Sequence, residues 1–117
     1  MAIPKIQTAI PVRRYQYGEF AVTVLDEISS PDPVQYRYLM AFVREGEAAP
    51  AAFVSCEQTP PAQSAEGRYQ LRVINSSLDE VVAIDNGFGT LDGFCEQALQ
   101  LGSQLLALQD EQPYPLG

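Results

Sequence analysis

Residues 90–110 decide the fold class; they read TLDGFCEQALQLGSQLLALQD. Apolar side chains recur in this stretch at intervals of three and four residues, as they do on one stripe of an amphipathic α-helix. The stripe consists of Leu91, Phe94, Cys95, Ala98, Leu101, Leu105 and Leu108. Thr90 is suited to cap the first turn, because its hydroxyl oxygen can accept a hydrogen bond from a free backbone N–H group. The pattern predicts one long C-terminal helix.

The sequence before this helix is typical of β-strands. Four segments are rich in Val, Tyr, Phe and Thr and alternate apolar with polar positions: residues 14–28, 34–45, 51–57 and 68–75. The alternation changes phase near Gly18, which predicts a bulge or a tight turn there. A further segment, residues 80–85, fits either a fifth strand or a buried helical turn. The predicted fold is α+β, a four- or five-stranded antiparallel meander packed by one long C-terminal amphipathic helix.

The length of 117 residues fits a single globular domain. Prolines disfavour a helix at either end of the chain, at Pro4 and Pro11 near the start and at Pro113 and Pro115 near the end. The predicted organisation is an extended arm over residues 1–12, an antiparallel sheet over residues 14–85, the helix over residues 90–110 and a short tail over residues 111–117.

The charge of the chain restricts its partners. Fifteen acidic and seven basic residues give a formal net charge of −8, which disfavours binding to nucleic acid and to anionic membrane surfaces. No apolar run has the length of a secretory signal core or of a membrane span, so a cytoplasmic location is expected. Two cysteines, Cys56 and Cys95, are too few and too ordinary in their spacing to indicate a disulfide framework or a metal knuckle, and both are expected to be reduced and mostly buried.

The sequence contains no histidine. Histidine is the usual general base near neutral pH and the commonest transition-metal ligand, so its absence excludes Ser-His-Asp triads, Cys-His pairs and most zinc sites. The glycine-rich stretch at residues 85–93, DNGFGTLDG, lacks the third glycine of a dinucleotide fingerprint and the ligand spacing of a calcium loop. We therefore expect no catalytic residues, no cofactor and no metal site.

Two groups of residues are candidates for binding. One helix covers only one face of a sheet, yet residues 34–45 are apolar on both faces in their second half. The other face would expose Leu25, Leu39, Ala41 and Val43. Either the arm, with Ile3, Ile6, Ile10 and Val12, covers this face, or a second subunit does so in a homodimer, which we favour. The second candidate is a pocket between sheet and helix lined by Tyr36, Tyr38 and Tyr69.

These observations favour a small, acidic, non-enzymatic protein-interaction module. Its expected partner is a protein or a second copy of the chain, in self-association or in an accessory, adaptor, chaperone-like or inhibitory role. The alternative is a small-ligand binder that uses the tyrosine-lined pocket. A third possibility is an enzyme that works through carboxylates.

Overall fold

The computed structural model describes residues 4–61 and 65–116. Within them the chain forms a seven-stranded antiparallel sheet and one C-terminal α-helix. The strands are β1 (Thr8–Tyr17), β2 (Phe20–Ser29), β3 (Tyr36–Arg44), β4 (Ala52–Gln58), β5 (Tyr69–Asn75), β6 (Asp79–Asp85) and β7 (Pro113–Leu116). A 3₁₀ turn (Asn86–Gly89) leads from β6 into the helix α1 (Leu91–Leu105).

The sheet is a meander to which the C-terminal strand adds a seventh member. The strand order is β6-β5-β4-β3-β2-β1-β7, so α1 carries the chain from the β6 side of the sheet to the β1 side. The α+β class is confirmed, but a count of four or five strands is too low. Three features account for the difference. A turn at Gly18, whose φ of +57° suits glycine, splits residues 14–28 into β1 and β2; residues 80–85 are strand; and β7 lies in the predicted tail.

The chain ends are more regular than the sequence suggests. β1 begins at Thr8, so Ile10 and Val12 of the predicted arm pair along β2 instead of crossing the sheet. Both side chains remain exposed, at 50% and 39%. Ile3, the first apolar residue of that arm, lies outside the described residues. β7 pairs with residues 14–17 of β1, which makes the tail part of the sheet.

The helix α1 begins where the sequence predicts and ends earlier. The Thr90 hydroxyl accepts a hydrogen bond from the Gly93 N–H at 3.2 Å, which confirms the cap. The helix ends at Leu105 because Ala107 adopts a left-handed φ of +57°. Its buried side is formed by Phe94, Cys95, Ala98, Gly102 and Ser103, while Leu101 and Leu105 are only partly buried.

The helix defines two faces of the sheet. The Phe94 ring stacks on Tyr38 with 5.3 Å between centroids, and Gly102 lies against the Phe42 ring. Residues opposite each other in an antiparallel pair share a face, so the strand register extends this assignment across the sheet. We call the side that α1 covers the helix face and the opposite side the distal face. The centre of the distal face comprises Thr23, Leu25, Leu39, Ala41, Phe53, Ser55, Glu57, Gln70, Arg72 and Ile74.

Candidate functional site

The structure brings the four predicted interface residues together on the distal face. Leu25 lies opposite Leu39 in the β2–β3 pair, and Ala41 and Val43 continue the same side of β3. On β4, Phe53 lies opposite Ala41 and enlarges the apolar surface. Leu39 is 1% exposed, whereas the other members are half-buried. These residues form one continuous surface on the distal face, which we call the apolar patch. It consists of Thr23, Leu25, Leu39, Ala41, Val43 and Phe53.

A hydrogen-bonded ion pair lies beside the apolar patch. The Glu57 carboxylate is 1% exposed and accepts hydrogen bonds from the Ser55 hydroxyl at 2.8 Å, the Gln70 amide at 2.9 Å and Arg72 Nε at 3.0 Å. A second nitrogen of Arg72 donates to Asp79 at 2.7 Å. A buried carboxylate needs such partners, because desolvation of an unpaired charge is costly.

This ion pair is not among the residues that the sequence singles out. The available signal was that Ser55 and Glu57 share the parity of Phe53 on β4, so that strand is polar on one face at its second half. Both oxygens of Glu57 are engaged by donors from its own sheet. The Glu57 carboxylate is therefore a fixed structural element of the distal face.

Charged residues on the distal face lie around the apolar patch. The strand register places Arg14 and Arg72 on this face together with Glu57 and Asp79. Asp32 and Glu45 add two carboxylates at its rim, where they accept hydrogen bonds from Tyr36 and Gln16. The apolar patch itself contains no charged residue, so it is an uncharged surface on a molecule with a formal net charge of −8.

The structure does not bring the three pocket tyrosines together. Tyr36 lies opposite Glu57 and Tyr38 opposite Cys56, with a register shift at Arg37 between them. This bulge puts Tyr36 on the distal face and Tyr38 on the helix face, although period-two counting gives them the same side. Tyr69 lies at the far end of β5, with its ring against Gly89.

Tyr38 and Tyr36 each contact residues that are close to them in the structure. The Tyr38 ring, 3% exposed, is held between Phe94 and the Arg37 guanidinium, which lies 4.2 Å from the ring centroid. The Tyr36 hydroxyl donates to Asp32 at 2.7 Å, and burial together with that carboxylate raises the Tyr36 pKa above its ordinary value. Asp32 also accepts from the Lys5 backbone N–H, and these two bonds lower its pKa. The surface cavity beside Tyr36 has about 450 Å³ and is lined by residues of the β2–β3 loop.

The two cysteines, Cys56 and Cys95, are buried, as predicted, and are not joined to each other. Burial raises the pKa of the Cys56 thiol to about 12, and burial also raises the pKa of Cys95. Cys56 Sγ donates to the Phe88 carbonyl at 3.2 Å, which ties β4 to the 3₁₀ turn before α1. Raised thiol pKa values oppose nucleophilic reactivity. Both residues act as core side chains.

The described residues contain no group of three or more His, Cys, Asp or Glu side chains placed to hold a metal ion. Over the same part of the chain, no helix has the length and apolar character needed to cross a membrane. Comparison of the whole chain with protein-family models, with curated proteins and with solved structures finds no match.

Proposed function

We propose that this protein is a non-enzymatic interaction module and that its distal face binds the distal face of a second copy. The observation that carries the proposal is the neutral apolar patch on an otherwise acidic chain. Two copies that each carry a charge of −8 repel one another over most of their surfaces. A surface without charged residues is the place where two copies approach with the least repulsion.

The apolar patch suits the packing of one sheet on another. Thr23, Ala41 and Val43 are half-buried and small or β-branched, so they leave a smooth surface in the middle of the sheet. Face-to-face packing of two sheets buries such alternating side chains in a layer about 10 Å thick. A homodimer built in this way has one self-complementary surface and closes on itself. In this dimer the sheet of the second copy would cover the apolar patch, as α1 covers the helix face.

The test is a pair of charge substitutions in the apolar patch. Ala41→Glu and Val43→Glu place a carboxylate in the centre of the proposed interface, where it has no partner, while in a monomer the new side chain reaches water. Both positions are half-buried in the single chain, unlike Leu39, whose replacement by glutamate would also break the core. Sedimentation velocity over a tenfold dilution series should show a dimer for the wild type and a monomer for both variants.

Gln100→Glu is the matched control, because it adds the same charge at an exposed position of α1. We expect this variant to keep the wild-type mass, and circular dichroism should show that all variants keep their sheet and helix. A wild-type mass that stays near 12.8 kDa at high micromolar concentration contradicts the proposed dimer. A dimer that persists in both patch variants contradicts the proposed surface.

A further inference from the structure

The two edges of the sheet differ in their capacity to accept another strand. At one edge β7 pairs with residues 14–17 of β1 and carries Pro113 and Pro115 at alternate positions. Proline has no N–H to give to a ladder, so both prolines must turn their backbone outward and Tyr114 and Leu116 must bond β1. The outer side of β7 therefore lacks donors. The part of β1 that β7 leaves free contains Pro11 and two register shifts, which also blunt an edge.

The edge formed by β6 has no such protection by proline. The Asn75 N–H donates to the Leu78 carbonyl at 2.9 Å across the β5–β6 turn, and the Thr59 N–H donates to the Arg68 carbonyl at 3.1 Å from the β4 side. Both bonds show that the odd-numbered residues of β5 direct their backbone N–H and C=O groups toward β6, while the even-numbered residues direct theirs toward β4. Val73 lies opposite Glu80, so Glu80 forms backbone hydrogen bonds with β5. The neighbours of Glu80, Asp79 and Val81, therefore direct their backbone groups away from the sheet.

Side chains on β6 indicate what kind of strand would fit. Val81 and Val82 are 40% and 43% exposed, which is unusual for β-branched residues in the middle of a strand. Asp79, Glu80 and Asp85 are acidic, and β6 contains no basic residue. A second copy of β6 would add three more negative charges at the same edge. A basic strand would instead meet opposite charge on both sides of the two valines.

We propose that β6 is a docking edge for an extended, basic segment of a partner protein, which adds as an eighth strand. Backbone hydrogen bonds at Asp79 and Val81 fix its register, and the exposed valines supply apolar contact. Asp79 is paired with Arg72, so the exposed carboxylates of Glu80 and Asp85 select lysine- or arginine-containing segments. The backbone groups of this edge lie in the plane of the sheet, so they stay accessible when the apolar patch at the centre of the distal face is covered.

The experiment measures binding of a blocked peptide of alternating lysine and valine by fluorescence anisotropy. The comparison is between Val81→Pro and Val81→Thr in the protein. The Val81 N–H points outward, so proline removes the docking donor and leaves the β5–β6 ladder intact, whereas threonine keeps both the donor and the β-branched shape. We expect Val81→Pro to weaken binding about tenfold and Val81→Thr to leave it within about twofold. Equal affinity for the two variants overturns the proposal.

A second measurement needs no variant of the protein and therefore holds even if Val81→Pro does not fold. The same peptide with N-methyl groups on every residue keeps its charge but loses its backbone donors on both edges. We expect it to bind about tenfold more weakly, and equal binding would show that attraction of charge alone holds the peptide, against the proposal. A wild-type dimer that Val81→Pro dissociates would identify a second copy as the occupant and also overturns it. Ala41→Glu should bind the unmodified peptide as the wild type does, which separates this edge from the distal face.

Discussion

At the scale of single residues, α1 contains a glycine at a position where alanine is usually favoured. Just after α1 the chain has an alanine at a position where glycine is usually favoured. Gly102 lies in the helix interior, and a methyl group added there would overlap the Phe42 ring. Ala107 follows the helix with a φ of +57°, and the Leu108 N–H donates back to the Ser103 carbonyl at 2.8 Å. This is the bonding of a helix end at which glycine is strongly preferred. Close packing decides the first position, and backbone conformation decides the second.

The paired substitutions should therefore have opposite effects. Helix propensity alone predicts that Gly102→Ala stabilises the protein by about 1 kcal/mol, but the overlap with Phe42 should reverse the sign and cost about 1–3 kcal/mol. Ala107→Gly removes the left-handed strain on a residue with a Cβ and should stabilise by about 1 kcal/mol. Urea denaturation measures both changes, with Gln104→Ala at an exposed helix position as control. A stabilised Gly102→Ala would mean that α1 does not lie on Phe42 as described.

At the scale of elements, β7 acts as an edge cap. Its four residues, Pro113–Leu116, protect the edge of the sheet because the two prolines have no backbone N–H group. Their side chains are largely exposed, so packing of the side chains does not give this protection. Replacing both prolines with threonine restores outward N–H groups on a short strand that already exposes Tyr114 and Leu116, at 65% and 49%. We expect this double variant to aggregate faster than the wild type in thioflavin and light-scattering assays.

Tyr114→Val is the matched control for the edge cap, because its N–H is directed toward β1 and the substitution keeps both prolines. It should aggregate no faster than the wild type. If the double proline variant also behaves as the wild type, then the edge at β7 is protected by something other than its missing donors.

At the scale of the whole molecule, the distribution of charge sets the salt dependence of self-association. The apolar patch is uncharged while the chain carries −8, so dimerisation through that patch brings like-charged bodies together without forming new ion pairs. Salt screens this repulsion within a Debye length of about 10 Å at 0.1 M. We expect the dimer dissociation constant to fall or stay constant between low and high sodium chloride concentration. Dimers that dissociate in salt would indicate an interface held by opposite charges, and sedimentation equilibrium distinguishes the two cases.

Local patterns in the sequence were sufficient to predict the features that do not depend on contacts with distant segments of the chain. The spacing of apolar residues after Thr90 predicts the helix, since 3.6-residue periodicity is a property of the segment itself. The phase change at Gly18 correctly marks a turn. The shared face of Leu25, Leu39, Ala41 and Val43 also follows from period-two alternation within uninterrupted strands, and the burial of Cys95 follows from its place on the apolar stripe of the helix.

Pairing between distant segments was decided by the tertiary structure alone. At the bulge, Arg37 pairs with Asp26 and covers the Tyr38 ring, and the register shift there moves Tyr36 to the opposite face from Tyr38. The Glu57–Arg72 pair and the junction of β7 with β1 likewise depend on strand register. Periodicity reports which residues of one segment share a side. It carries no information on which segments meet, because that depends on contacts formed between parts of the chain that are far apart in sequence.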